Sequence, residues 1–156
     1  MEYTIKVDGL DEVIQIFKKL EDIISSDGLK EYIAEKSIEE INKIAKERLA
    51  NYSNYIESNK YIIGKNYIEI YNDVQTEYSH YSLIIEYGSG LKMDSSKAEH
   101  FGDTPEFILS NYEWWLNGLG FKVTGQEPKY IYTDAAKVIE KNIAIWGIEY
   151  IDKELE

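Results

Sequence analysis

Apolar residues in the first third of the chain recur mostly at helical spacing. A short alternation comes first, Tyr3-Thr4-Ile5-Lys6-Val7, which predicts a half-buried strand broken by Asp8-Gly9. From Leu10 the apolar positions Leu10, Val13, Ile14, Phe17, Leu20 and Ile24 predict an amphipathic helix, with Asp11 and Glu12 in its first turn as the helix dipole prefers. Ser25-Ser26-Asp27-Gly28 predicts a turn. A second, longer helix is expected from Leu29 to Tyr52, with Ala34, Ile38, Ile41, Ala45, Leu49 and Tyr52 on its apolar stripe and Glu and Lys outside. Two helices joined by so short a turn are expected to pack on each other or on a common sheet.

Beyond Tyr52 the periodicity changes. Asn51 to Asn59 is polar and Tyr-rich and predicts a loop. Lys60 to Ile63 and Tyr67 to Tyr71 are rich in β-branched and aromatic residues and flank Gly64-Lys65-Asn66, which predicts a hairpin. In Tyr81 to Gly90, Leu83, Ile84, Ile85 and Tyr87 surround one carboxylate, Glu86, and Gly88-Ser89-Gly90 ends the run. That pattern predicts a buried element with a sharp exit into a surface loop over Leu91 to Asp103. Thr104-Pro105-Glu106 is a helix-start signal. The helix it opens, Phe107 to Leu116, carries Ile108, Tyr112 and Trp115 on one stripe with Trp114 beside it, and Gly118 and Gly120 stop it. Phe121 to Gly125 predicts a short strand and Gln126-Glu127-Pro128 a turn.

A final helix is expected from Thr133 to Leu155, with Ala136, Ile139, Ile143, Trp146 and Tyr150 on its stripe. Ile145, Ile148 and Ile151 widen the apolar face, so this helix is expected to pack on two partners, one of them another subunit. The fold class is α+β: an antiparallel sheet packed against a long N-terminal helical pair and a C-terminal helix, with an inserted helical segment around residues 104–118.

Composition narrows the function classes. With 156 residues, 44% hydrophobic and 29% charged, the chain is expected to form one globular domain. No apolar run approaches the ~18 residues of a membrane span and no basic-then-apolar leader opens the chain, so a soluble protein without an export signal is expected. The absence of cysteine excludes disulfides, thiolate nucleophiles and thiolate metal sites. Seventeen Lys and Arg against 29 Asp and Glu give a net charge of −12. Such a surface repels phosphate, and Arg48 is the one arginine, so a basic nucleic-acid face and forked phosphate recognition are both unexpected.

Candidate chemistry is sparse. His80 and His100, with Asp94, Glu86 or Glu99 near in sequence, lack the i, i+4 pairing of a helical metal site, so no metal, catalytic or cofactor-binding residue is assigned. Glu86 among aliphatics has the composition of a raised-pKa general acid, but no second carboxylate stands at a pairing distance. A carboxylate bonding backbone amides or a neighbouring subunit's Lys fits better. Trp114-Trp115 and the 14 tyrosines fit core packing first, a protein interface second and a sugar platform third.

Three stretches resemble one family. The central run from Tyr81 to Gly90, the opening Val7-Asp8-Gly9-Leu10-Asp11-Glu12-Val13, and Pro128 followed by Tyr130-Ile131-Tyr132 and Ala135-Ala136 resemble, in order and spacing, the tail-completion or head-tail joining (neck) proteins of tailed bacteriophages. Two segments depart from the pattern: Asn54 to Ser58 stands where the family carries a Thr-Gly and basic signature, and Met93 to Gly120 has no counterpart. The resemblance implies a structural virion protein rather than an enzyme, without cofactor. It implies a homo-oligomeric ring, taken as a hexamer, at the head-tail junction of a phage, prophage or tail-like particle. Its partners would be the head connector and the tail tube or terminator, with DNA passing through the lumen unbound and assembly in the host bacterial cytoplasm. The residues expected to carry contacts are Glu86, Tyr87, Gly88, Gly90, Trp114, Trp115, Trp146 and Tyr150. A tail terminator or minor head or tail component is the neighbouring alternative, and a small acidic carbohydrate-binding module or hydrolase the alternative of another class.

Overall fold

The computed structural model describes residues 10–74, 81–89, 92–97, 114–115, 122–123 and 125–156. The strand expected at Tyr3 to Val7, the helix start at Thr104-Pro105, and His80, Gly90 and His100 lie outside them. Among the described residues the order is α1 (Leu10–Ser25), α2 (Asp27–Arg48), α3 (Ser53–Glu57), β1 (Asn59–Ile63), β2 (Ile68–Asn72), α4 (Tyr81–Tyr87), β3 (Trp114–Trp115), β4 (Lys122–Val123) and α5 (Ile131–Leu155). This is the α+β architecture that the apolar pattern predicts, with the long helices as its frame.

The predicted four-residue turn between α1 and α2 contracts to Ser26, whose hydroxyl donates to the Ile23 carbonyl at 2.7 Å. Asp27 and Gly28 belong to α2. Gly28 is tolerated there because Tyr150 of α5 lies over it: a Cβ at that position collides with the Tyr150 hydroxyl. Helix α2 stops at Arg48 instead of running to Tyr52, and Leu49 turns extended to pack on the core. Its buried side is Ala34, Ser37, Ile41, Ile44 and Ala45. Ser37 is a polar member that periodicity overlooks, and its hydroxyl is satisfied by the Ile33 carbonyl at 2.7 Å.

Helices α2 and α5 run antiparallel along each other. The Arg48 end of α2 meets the start of α5, where Arg48 pairs with Asp134 at 2.7 Å and donates to the Tyr130 carbonyl at 3.0 Å. At the other end Tyr32 stacks at a tilt on Tyr150, with ring centroids 5.4 Å apart. Lys137 and Arg48, both hydrogen-bonded to Asp134, hold its carboxyl below the usual carboxylate range.

The segment expected as a loop at Asn51–Asn59 contains α3. Tyr55, buried in the core, anchors that single turn, and Ile56 packs beside it. Strands β1 and β2 pair antiparallel with Asn59 opposite Asn72 and Ile63 opposite Ile68, and the Gly64 amide closes the turn on the Tyr67 carbonyl at 2.9 Å. The core is the meeting of Ile41, Ile44 and Ala45 from α2, Tyr55, Ile85 from α4, and Ile131 and Ala135 from α5. Ala136, expected on the inward stripe of the last helix, is exposed; the helix begins two residues earlier than expected, and Ile131, Ala135 and Ile139 face the core.

Two predicted features are corrected. Trp114 and Trp115, expected on a helix, form β3, antiparallel to β4 with Trp114 opposite Val123 and Trp115 opposite Lys122. Tryptophan favours strands, and a partner at Lys122–Val123 settles the competition against helical spacing. The second concerns the helical pair. Among the described residues α1 is buried only near its C-terminal end, at Ile23; every residue from Glu12 to Lys19 is exposed, Phe17 at 66%, although the Lys19 ammonium donates to the Leu155 carbonyl of α5 at 3.3 Å.

Candidate functional site

The site centres on the exit of α4. At Gly88 the backbone enters the left-handed region, φ 81°, and its amide returns to the Ile84 carbonyl at 2.8 Å, a glycine helix cap. From there residues 85–89 are laced to residues 126–133. The Ser89 amide donates to the Gln126 carbonyl at 2.9 Å and the Gln126 amide donates to the Ser89 hydroxyl at 3.1 Å. The Lys129 amide reaches the Ile85 carbonyl at 2.8 Å, and the Tyr130 amide reaches the Glu86 carbonyl at 3.1 Å.

Glu86 completes the lacing with its side chain. It is 5% exposed, and its two carboxylate oxygens accept the amides of Tyr132 at 2.8 Å and Thr133 at 2.7 Å. Those amides belong to the first turn of α5, where four N–H groups have no partner inside the helix. The residue at the N-cap position, Tyr130, makes no side-chain capping bond and sits at φ 47°. Glu86 therefore caps α5 from another element, placing a negative charge at the positive end of the helix dipole. Tyr130 is held from the far side, its hydroxyl donating to Asp94 Oδ2 at 2.9 Å. Ser96 and then Tyr130, both hydrogen-bonding the Asp94 carboxylate, keep its pKa below the usual range.

Behind Glu86 lies a half-buried polar relay. The Tyr132 hydroxyl donates to Asn59 Oδ1 at 2.8 Å, Asn72 Nδ2 donates to the same oxygen at 2.7 Å, and Asn59 Nδ2 donates to Asn42 Oδ1 at 2.7 Å. The relay ties α2, both strands and α5 together. A hollow of about 300 Å³ lies between β2, α4 and α5, with Asn72, Leu83, Glu86, Tyr87 and Tyr132 on its wall. Burial, and secondarily the nearby Glu86, raises the pKa of both the Tyr132 and Tyr87 hydroxyls. Burial also raises that of Tyr55, with Tyr132 and Glu86 adding to it.

Among the described residues the buried Tyr55 hydroxyl has no hydrogen-bond partner. Leaving a hydroxyl dry costs about 1–3 kcal/mol, so Tyr55→Phe is expected to raise unfolding stability by about 1 kcal/mol in urea titrations. A loss of that size instead would mean that the hydroxyl is bonded.

The structure brings Glu86, Tyr87 and Gly88 into one unit and makes Glu86 a backbone cap, the reading preferred from sequence. It separates them from Trp146 and Tyr150, which are half-buried on the far half of α5, and Tyr150 spends its ring on Gly28 and Tyr32 of its own chain. The sequence reading missed Arg48, Asp94 and the three asparagines. Arg48, as the one arginine, is the member with a visible signal. Among the described residues no cluster of His, Cys, Asp and Glu could hold a metal ion, and no helix is long and apolar enough to cross a membrane. No protein-family model, no curated protein and no solved structure matches this chain.

Proposed function

We propose that this chain is a structural virion protein of a tailed phage, prophage or phage tail-like particle, forming a homo-oligomeric ring at the head-tail junction. The observation that carries the reading is the unpartnered apolar surface of two long helices in an otherwise acidic chain: Val13, Ile14 and Phe17 on α1, and Ile145 and Ile148 on α5. Monomers rarely leave so much aliphatic surface wet unless it meets another protein. Three sequence stretches that resemble the tail-completion family point the same way. In the central one, the Glu86 oxygens are both engaged by backbone amides, so the motif works as architecture. A hydrolase or sugar-binding reading asks for a free carboxylate or an open aromatic platform, and Glu86 does not provide the first.

In this role the acidic surface facing a lumen repels the DNA phosphates and lets the duplex pass without adhering. The head connector meets one face of the ring and the tail tube or terminator the other. Light scattering at two salt concentrations, against the 18.2 kDa chain mass, tests the reading together with electron microscopy of the same sample. A discrete oligomer visible as rings is the expected result. A monomer at every concentration that also leaves the ends of added tails bare would overturn it.

A further inference from the structure

We propose that the subunit contact is a helix-in-groove exchange in which the N-terminal half of α1 docks into the α2–hairpin–α5 groove of the next copy. The inference rests on the ring reading above and names the surfaces that would build it. The groove has a volume of about 480 Å³, and its walls are Ile24, Ile33, Ile68, Ile70, Ile139 and Ile143. Such a size falls in the ~300–1,000 Å³ range of hollows that take up apolar groups. At one end it carries Lys30 and Lys65, which also border a neighbouring hollow of about 580 Å³.

The occupant is on the same chain. Val13 and Phe17 share one stripe of α1 with Leu20, and residues 12–19 are all exposed. A helix of 16 residues is near the length at which isolated helices are marginal in water, so its apolar arc needs a partner. That partner is not its own groove. Ile24, near the end of α1, already forms a wall there, and Phe17 stands seven residues back, about 10 Å along a straight helix at 1.5 Å per residue. Charge agrees at Lys65: Lys30 is engaged by Asp27 at 3.0 Å, whereas Glu21, one turn after Phe17 on the same side and exposed, approaches the exposed Lys65 when the stripe of a second copy is seated. Because arm and groove are different surfaces, each copy both gives and receives. Such a head-to-tail contact makes a ring when its rotation closes.

The absence of cysteine permits a direct test, since an engineered pair reports its own contact and nothing else. Phe17→Cys with Ile143→Cys, both at exposed positions, is oxidised and resolved by mass. Bonds between copies, giving a ladder that ends at the mass of the native oligomer, are expected. Phe17→Asp, with its helicity checked by circular dichroism, is expected to weaken association at least about 30-fold, as loss of a central apolar anchor does. Lys65→Glu is expected to weaken it less and to be rescued by Glu21→Lys. An oligomer that forms without the cross-link and ignores Phe17→Asp overturns the exchange and leaves the ring reading standing, its contact lying elsewhere. A cross-link within one chain overturns it by showing that the arm folds back. A wild-type chain that stays monomeric and leaves the ends of added tails bare, with the double-cysteine variant uncross-linked, removes both.

Discussion

Glu86→Ala is expected to lower unfolding stability by about 3 kcal/mol, with no change of fold in what remains folded. Two amides at the start of α5, those of Tyr132 and Thr133, lose acceptors that belong to a side chain only 5% exposed. Hydrogen bonds to a charged group contribute about 1.5–3 kcal/mol each, so about 3 kcal/mol is the lower end of what the two together supply. Glu86→Gln retains one acceptor and turns an amide toward the other N–H, so it is expected to fall between the wild type and Ala. Urea titrations of the three proteins decide this. If Ala costs less than about 1 kcal/mol, the capping account is wrong.

Gly88→Ala is expected to cost nearly as much, about 3 kcal/mol, for a reason with no electrostatic part. A left-handed conformation costs a residue with a Cβ about 1–2 kcal/mol. The new Cβ would also stand 2.6 Å from the Gln126 carbonyl oxygen and 3.0 Å from the Pro128 ring. That carbonyl cannot retreat without breaking its bond to the Ser89 amide. Both substitutions release the same lacing between residues 85–89 and 126–133, so the double variant is expected to cost clearly less than the two single costs added. Strict additivity in a double-mutant cycle would mean that cap and turn act independently.

What could be read from the sequence was what periodicity and turn chemistry record. The hairpin was legible to within one residue at each strand because a β-branched and aromatic run brackets Gly64, and α2 was legible because its core face repeats at helical spacing. The glycine exit after Tyr87 was legible for the same local reason. Long-range partners left no such record. The groups that Glu86 binds are backbone amides 46 and 47 residues away, and an amide carries no signature of its own. Tyr55 sits in polar sequence, and only its burial against α2 and α5 makes α3 an element. The spacing of Trp114-Trp115 after Thr104-Pro105 reads as helical, and pairing with Lys122–Val123, which local spacing does not record, makes it a strand. The wet arc of α1 was legible as amphipathic, but its sequence does not say that the chain's own body leaves it uncovered.

The lacing around Glu86 also bears on how this chain can vary. Residues 89 and 126 are joined by a reciprocal pair of bonds, so the two points that bracket the 36 residues numbered 90–125 lie side by side. Closing such a loop is an entropic cost that grows only with the logarithm of its length, about 0.6 kcal/mol for each doubling. The core residues from α2, α4 and α5 all lie outside the loop. A change in the length of that span therefore costs little in loop closure, so long as Gly88, Ser89 and Gln126 keep its base shut and Asp94 keeps its bonds to Tyr87 and Tyr130.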